Sequence, residues 1–176
     1  MADHKIFKPV SMASLNVDSL VNVVILEADA DNGTFVVLGD ATETIFGETE
    51  EGCYEAALAD AITDVVAVID GDTNGLADGY DVGLRDPRKA YNKAGEPTRA
   101  RLLVAGDVFA VEEAAINGTA ATYVIIDATT GEEGKLEFTA DVTGAAFYGK
   151  VIGGGTIVVG GTYVDDAVLI RVAKNG

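Results

Sequence analysis

Beyond residue 101 the chain is a series of short segments rich in β-branched and aromatic residues. They are RLLVA, DVFAVEE, ATYVIIDA, KLEFTADV, AAFYGKVIG, TIVVGG and YVDDAVLIRVA. Gly, Asn, Asp and Thr residues separate them at short, fairly regular intervals, which is typical of turns between strands. A parallel βαβ sheet needs crossover helices between its strands, and this spacing leaves no room for them. The sequence therefore predicts an all-β fold, an antiparallel β-barrel or sandwich.

The clearest strand pattern is KLEFTADV at 135–142. Its apolar residues are Leu136, Phe138, Ala140 and Val142, and they alternate with polar ones. Because successive side chains of a strand point to opposite faces, this alternation predicts one buried and one solvated face.

The first hundred residues carry fewer strand signals. Residues 20–28 and 34–38 are rich in Val, Ile and Leu and flank the turn sequence Asp-Asn-Gly, which predicts a β-hairpin. The Ala-rich residues 54–63 favour a short helix, the only one expected, and residues 65–69 favour a strand. We therefore expect a single β domain over residues 21–176, with a long irregular excursion at about 40–100.

Residues 1–20 contain a proline and scattered apolar side chains but no sustained helical or strand period. This predicts an extended N-terminal arm, laid against the body or against a neighbouring subunit. Four residues of the arm are candidates for partner docking: Ile6, Phe7, Lys8 and Val10.

The chain of 176 residues, 48% of them hydrophobic, is long enough for one well-packed core. Its formal net charge of -17 argues against binding along a nucleic-acid backbone or to an anionic membrane. Such acidity fits either solubility and salt adaptation or a surface that keeps neighbouring copies apart. The single cysteine, Cys53, excludes an internal disulfide. Without a signal-like or membrane-spanning apolar run, synthesis in the cytoplasm is expected.

The sign of the charge reverses abruptly after residue 84. No Lys or Arg occurs from 9 to 84, and then six follow closely: Arg85, Arg88, Lys89, Lys93, Arg99 and Arg101. This segment is either a solvated loop that offsets the acidic half or a docking patch for carboxylates of a partner. In the second case Tyr91 would serve as an amphipathic anchor.

An Asp-rich stretch before the basic segment has the spacing of a calcium-binding loop. The side chains at positions 1, 3, 5, 9 and 12 of such a loop would be those of Asp70, Asp72, Asn74, Asp78 and Asp81, in that order. Leu76 would supply the backbone carbonyl at position 7. A glycine at position 6 permits the sharp turn, whereas an Asp in place of the usual Glu at position 12 weakens binding. The stretch is either a calcium site or an acidic surface turn, and calcium is the one cofactor that the sequence suggests.

Catalytic motifs are not evident. The single histidine, His4, lies at the N-terminus, which makes a Ser-His-Asp or Cys-His arrangement improbable. The glycine-rich residues 151–163 lack the Gly-Lys-Ser/Thr ending of a phosphate-binding loop. We therefore expect a protein that is not an enzyme.

In overall texture the chain resembles the decoration, cement or auxiliary capsid proteins of tailed bacteriophages. The resemblance is strongest in FKPVSMASLNVDSLVNVVILEADADNGTFVVL at 7–38 and in RLLVAGDVFAV at 101–111. It implies a β-rich virion structural protein that is made in the host cytoplasm and binds the outside of a phage head. Its partners would be the major capsid protein and neighbouring copies of itself, as a homo-oligomer or on the lattice, and it would stabilise the shell.

The rival hypothesis is a calcium-dependent β-sandwich binding module for carbohydrate or for a surface protein. The Asp-rich loop supports it, whereas the absence of tryptophan weakens a carbohydrate-binding role.

Overall fold

The computed structural model describes residues 5–41, 53–71, 75–76 and 90–176. It confirms the all-β prediction, because helical structure in these ranges is limited to short 3-10 turns. The strands are β1 (Phe7–Ser11), β2 (Val21–Leu26), β3 (Phe35–Ala41), β4 (Cys53–Leu58), β5 (Ala67–Ile69), β6 (Gly75–Leu76), β7 (Ala90–Tyr91), β8 (Pro97–Leu102), β9 (Val108–Glu112), β10 (Ile116–Asn117), β11 (Tyr123–Ile126), β12 (Leu136–Thr139), β13 (Phe147–Val159) and β14 (Thr162–Asn175). None of the described helices is long and apolar enough to cross a membrane.

Five strands close into a small barrel in the order β2-β4-β3-β5-β8. Most neighbours are antiparallel, but β2 and β4 run parallel, with Val23 opposite Cys53. Alanines fill much of the interior, together with branched residues; the buried set is Val24, Leu26, Ala30, Val36, Ala56, Ala67, Ile69 and Ala100. A barrel with so few strands is narrow, so small side chains suit its interior.

The other main sheet has seven strands in the order β1-β9-β14-β13-β11-β12-β10. All its pairings are antiparallel except the short β10–β12 pair. In β12, Leu136 and Phe138 are buried, as the alternation predicts, whereas Ala140 is exposed because the strand ends at Thr139.

The larger core contains residues of both the barrel strands and the seven-stranded sheet. Phe35 of β3 lies 6.0 Å from Phe109 and 5.5 Å from Phe147, measured between ring centroids. Phe7 of β1 lies 5.5 Å from Phe109 in the same cluster. Aromatic rings at these separations bury large apolar areas and hold the barrel against the sheet.

Asn175, at the end of β14, joins the two parts by hydrogen bonds. Its Nδ2 donates to the backbone oxygens of Val66 at 2.8 Å and Leu103 at 2.9 Å. Its Oδ1 accepts from the backbone N–H of Val66 at 2.9 Å. Val66 precedes β5 and Leu103 follows β8, so one amide side chain fastens two barrel strands to the sheet.

The predicted hairpin of residues 20–28 and 34–38 is wrong. Both segments form strands, but β2 and β3 each pair with β4, which lies between them in the barrel. The segment expected to be helical, 54–63, instead supplies β4 up to Leu58. Its alanines reflect the narrow barrel interior, since tertiary packing overrides the intrinsic helix propensity.

Two other predictions need refinement. The excursion at about 40–100 is only partly irregular, because β4, β5 and most of β8 fall within it and are barrel strands. The N-terminal arm lies against the body of its own chain, where β1 pairs antiparallel with β9 at the edge of the sheet.

Candidate functional site

The most distinctive surface of the described chain is the distal part of the β13–β14 hairpin, residues 152–164. Nearer the hairpin base, β13 pairs with β11 only through Gly149 and Lys150, and β14 pairs with β9 from Ala167 to Arg171. Within the described residues, the distal part pairs only across the hairpin, from Gly153–Leu169 outward to Val159–Thr162. Beyond Ala167, where the pairing of β14 with β9 ends, the hairpin is a two-stranded ribbon with no other strand partner in the described chain, which suits recognition of another chain.

The distal hairpin carries apolar side chains but no charge between Val151 and Val164. Tyr163 is 70% exposed, Val158 43% and Ile152 38%. Lys8 on β1 donates from Nζ to the backbone oxygen of Val158 at 3.0 Å and so ties the hairpin to the edge of the sheet. An exposed, uncharged apolar ribbon on a chain of net charge -17 is typical of a surface that contacts another protein.

A groove of about 260 Å³ lies at the base of the distal hairpin. Phe138 and Val168 are buried beneath it, and Val151 is half-buried. Its remaining lining residues are Glu113, Ala120, Ala121, Gly153, Gly154, Gly155, Asp166 and Ala167. The groove is thus apolar at its floor, with two carboxylates among its lining.

The arm residues predicted to dock on a partner fall into two groups. Ile6 and Phe7 are 2% and 5% exposed, so they pack within their own chain and are not available to a partner. Lys8 is half-buried and holds Val158, whereas Val10 is 49% exposed. The arm therefore contains a strand that the sequence did not predict, and of the four residues only Val10 offers substantial exposed apolar surface.

The structure describes only part of the basic segment. Arg85, Arg88 and Lys89 lie outside the described residues. Tyr91 is half-buried in β7, and Lys93 is exposed.

Arg101 is 9% exposed, and its side chain makes contacts within the chain. Its Nε forms an ion pair with Asp70 Oδ2 at 2.5 Å, and its Nη1 donates to Ser14 O at 3.0 Å. Arg99 Nε donates to the backbone oxygen of Asp70 at 3.2 Å. Arg101 is therefore buried with a carboxylate and a carbonyl as its partners within the chain, an arrangement that offsets the cost of burying a cation, and its docking on a partner stays a prediction.

The same contacts bear on the calcium loop. Asp70, its first predicted ligand, already has Arg101 as counter-ion, and Leu76 forms β6, paired with β7. Asp72, Asn74, Asp78 and Asp81 lie outside the described residues. Within the described ranges no group of three or more acidic, His or Cys side chains is placed to hold a metal ion. Calcium binding by the loop stays a prediction.

A polar network that the sequence analysis missed holds both ends of the loop. Asn92, fully buried, donates from Nδ2 to Ala30 O at 3.2 Å and to Asn32 Oδ1 at 3.0 Å, and accepts from Thr98 Oγ1 at 2.7 Å. Asn32 in turn exchanges two hydrogen bonds with the backbone of Gly71, each 3.1 Å long. Buried amides specify one geometry when all their bonds are made. The network therefore fixes residue 71, near the start of the Asp-rich stretch, and residue 92, within the basic segment.

A second cavity, of about 200 Å³, lies between the barrel and the sheet, and its lining includes Lys5, Asp31 and Lys135. Burial lowers the pKa of Lys5, and the nearby ammonium of Lys135 lowers it further. Lys135 Nζ itself contacts Glu132 Oε2 at 2.6 Å. Because charges of both signs are already close together here, the cavity offers no uncompensated charge of one sign to a ligand.

Beside this cavity, Asn117 links two acidic side chains. Its Nδ2 lies 2.8 Å from both Asp127 Oδ2 and Glu132 Oε2. Burial alone would raise the pKa of Asp127, but hydrogen bonds from Asn117 and Thr129 outweigh it and hold that pKa below its usual value. Hydrogen bonds from Lys135 and Asn117 likewise lower the pKa of Glu132. These carboxylates stabilise the β10–β12 edge of the sheet.

Comparison with models of protein families, with curated proteins and with solved structures finds no match to this chain. Functional inference therefore depends on the surfaces described above.

Proposed function

We propose that this chain is a non-enzymatic virion structural protein that binds the outside of a phage head and stabilises the capsid lattice. The observation that carries the proposal is the distal β13–β14 hairpin, an uncharged ribbon with exposed Ile152, Val158 and Tyr163 that pairs with no other strand in the described part of the chain. The resemblance to decoration proteins supplies the identity of the partner. The hairpin supplies a surface with which such a partner could be contacted.

The rest of the described molecule supports the same role. The N-terminal strand packs into the sheet through buried Phe7, and hydrogen bonds of Asn175 join the sheet to the barrel. The hairpin therefore extends from a rigid body. A rigid base limits the entropy lost on docking, which favours binding by a small surface. The strongly negative charge keeps free copies apart and so favours binding to the lattice over aggregation in solution.

The test is co-sedimentation of the purified protein with undecorated phage heads. We expect wild type to co-sediment and the double variant Val158→Asp/Tyr163→Asp to lose most of its binding, because each change places a charge on the exposed apolar ribbon.

The matched control is Leu15→Asp/Val65→Asp, which introduces the same charges at positions that are 47% and 50% exposed elsewhere on the molecule. It should bind as wild type does. Equal binding by all three proteins would remove the hairpin from the docking surface, and failure of wild type to bind heads would overturn the proposed function itself.

A further inference from the structure

The groove at the base of the distal hairpin has a distinctive arrangement of charge. Ala167 of β14 lies opposite Glu112, the last residue of β9, and the adjoining residues, Asp166 of β14 and Glu113 of the following 3-10 turn, both line the groove. Both side chains are exposed. Neither forms an ion pair or hydrogen bond with another described side chain. Two carboxylates in the lining of one groove repel each other, so a cation placed between them would be favoured.

The backbone beside these carboxylates is also unusual. Asp166 has φ of 58°, the one positive value among the described residues other than glycine. Such a conformation costs free energy in most non-glycine residues, although Asp tolerates it better than most. Here it accompanies a register irregularity of the β13–β14 pair between Gly155 and Ile157.

The floor and the opposite wall suit an extended chain. Phe138, Val151 and Val168 form an apolar floor, on which an aliphatic stem can pack. Beyond Val151, whose N–H donates to Thr122 O at 2.9 Å, the outer edge of β13 has no strand partner in the described chain. A Cβ placed on Gly153 would contact nothing within 4 Å, so another backbone can approach there.

We propose that this groove binds an extended, basic segment of the partner protein. The backbone of that segment pairs with β13 at Gly153–Gly155, and one of its Lys or Arg side chains lies across the apolar floor with its cation between Glu113 and Asp166. Positive charge on such a segment complements the net charge of -17, which favours this choice of occupant. The inference rests on the proposed function, because it names the part of the partner that the docking surface recognises.

The experiment uses a short peptide with blocked ends, TKVRVKT, which alternates basic and apolar residues. It is titrated into the full chain while the backbone amide resonances are followed by nuclear magnetic resonance. We expect the largest shifts at Gly153–Gly155. The variant Glu113→Gln/Asp166→Asn should bind the peptide about tenfold more weakly, since two partly exposed charge pairs are lost.

The matched control, Asp18→Asn/Glu96→Gln, removes two exposed carboxylates elsewhere and should change peptide affinity less than about twofold. A second variant, Gly153→Val, fills the groove where a side chain meets no neighbour, so it should fold normally and still lose the peptide. Shifts spread evenly over the acidic surface, or equal weakening in both double variants, would overturn the inference.

The two proposals fail in different ways. Heads that bind wild type and Glu113→Gln/Asp166→Asn equally well, with no peptide-induced shifts at Gly153–Gly155, would leave the proposed function standing and remove the groove from it. Peptide binding confined to the groove, with no binding of wild type to heads, would support the basic-segment site and reject the virion role.

Discussion

The proximal and distal parts of the β13–β14 hairpin are built from the same two strands but are used differently. In the proximal part Phe147, Ile170 and Val172 are buried in the large core, with neighbouring strands on both sides. In the distal part Val158 and Tyr163 are exposed, and the strands pair only with each other. The same kinds of β-forming residue are thus buried in the core in the proximal part and exposed in the distal part, where we propose that they contact a partner.

Truncation of one large side chain in each part gives the strongest test of this difference. Phe147→Ala should lower the free energy of unfolding by about 3–5 kcal/mol, because it leaves a cavity beside Phe35. Tyr163→Ala should change it by less than about 0.5 kcal/mol, because the ring is 70% exposed. Urea denaturation measures both, and similar losses for the two variants would mean that the distal part contributes to the core.

Glycines of the same strand allow a subtler comparison. A methyl group added at Gly149 would clash with Ile170 Cγ2 and crowd Val124, so Gly149→Ala should cost about 1–3 kcal/mol. At Gly153 the same methyl group meets nothing, so Gly153→Ala should be neutral or stabilise by up to about 1 kcal/mol. Thermal unfolding of the two variants checks this, and a destabilised Gly153→Ala would show that the distal backbone needs glycine for its own fold.

The contribution of the charged β10–β12 edge to the free energy of unfolding should depend on pH, whereas that of the uncharged distal hairpin should not. Asn117→Ala removes the hydrogen bond to buried Asp127 and should cost about 1–2 kcal/mol at pH 7. Because the pKa of Asp127 is lowered in the folded state, its contribution is present above the unfolded pKa, near 4, and is lost as pH falls through the folded pKa.

The difference in unfolding free energy between wild type and Asn117→Ala should therefore shrink below about pH 4. Tyr163→Ala serves as the control, because its difference in unfolding free energy from wild type should stay constant over the same pH range. A constant difference for Asn117→Ala would show that the bond to Asp127 is not linked to its ionisation.

The fold class followed from the sequence because strand periodicity is a local property. Leu136 and Phe138 alternate with polar neighbours, and both are buried in β12. Strand partners were not predictable, since β4 lies between two strands that are separated in sequence only by a turn. Pairing depends on the packing of distant residues, which no short window of sequence contains.

The candidate site was predictable only in part. The glycine-rich stretch was read as parts of two strand segments, AAFYGKVIG and TIVVGG, whereas Gly153–Gly155 continue a single β13. Arg101 looked like a surface cation because its partner Asp70 is distant in the sequence. The adjacency of Glu113 and Asp166 likewise requires the β9–β14 register, which the sequence does not reveal.

The hydrogen bonds of Asn175 have a consequence for the order of folding. They join β14 to backbone groups at Val66 and Leu103, more than a hundred and about seventy positions earlier, as the sequence separations of 109 and 72 record. Contacts between such distant residues form slowly, because a long loop must close before they contribute. During synthesis the barrel can close around residue 102, but its attachment through Asn175 must wait until residue 175 has left the ribosome. Until β14 is made, the strands that carry Phe109 and Phe147 are not joined into one sheet, so Phe35 is incompletely covered and this interval is exposed to aggregation.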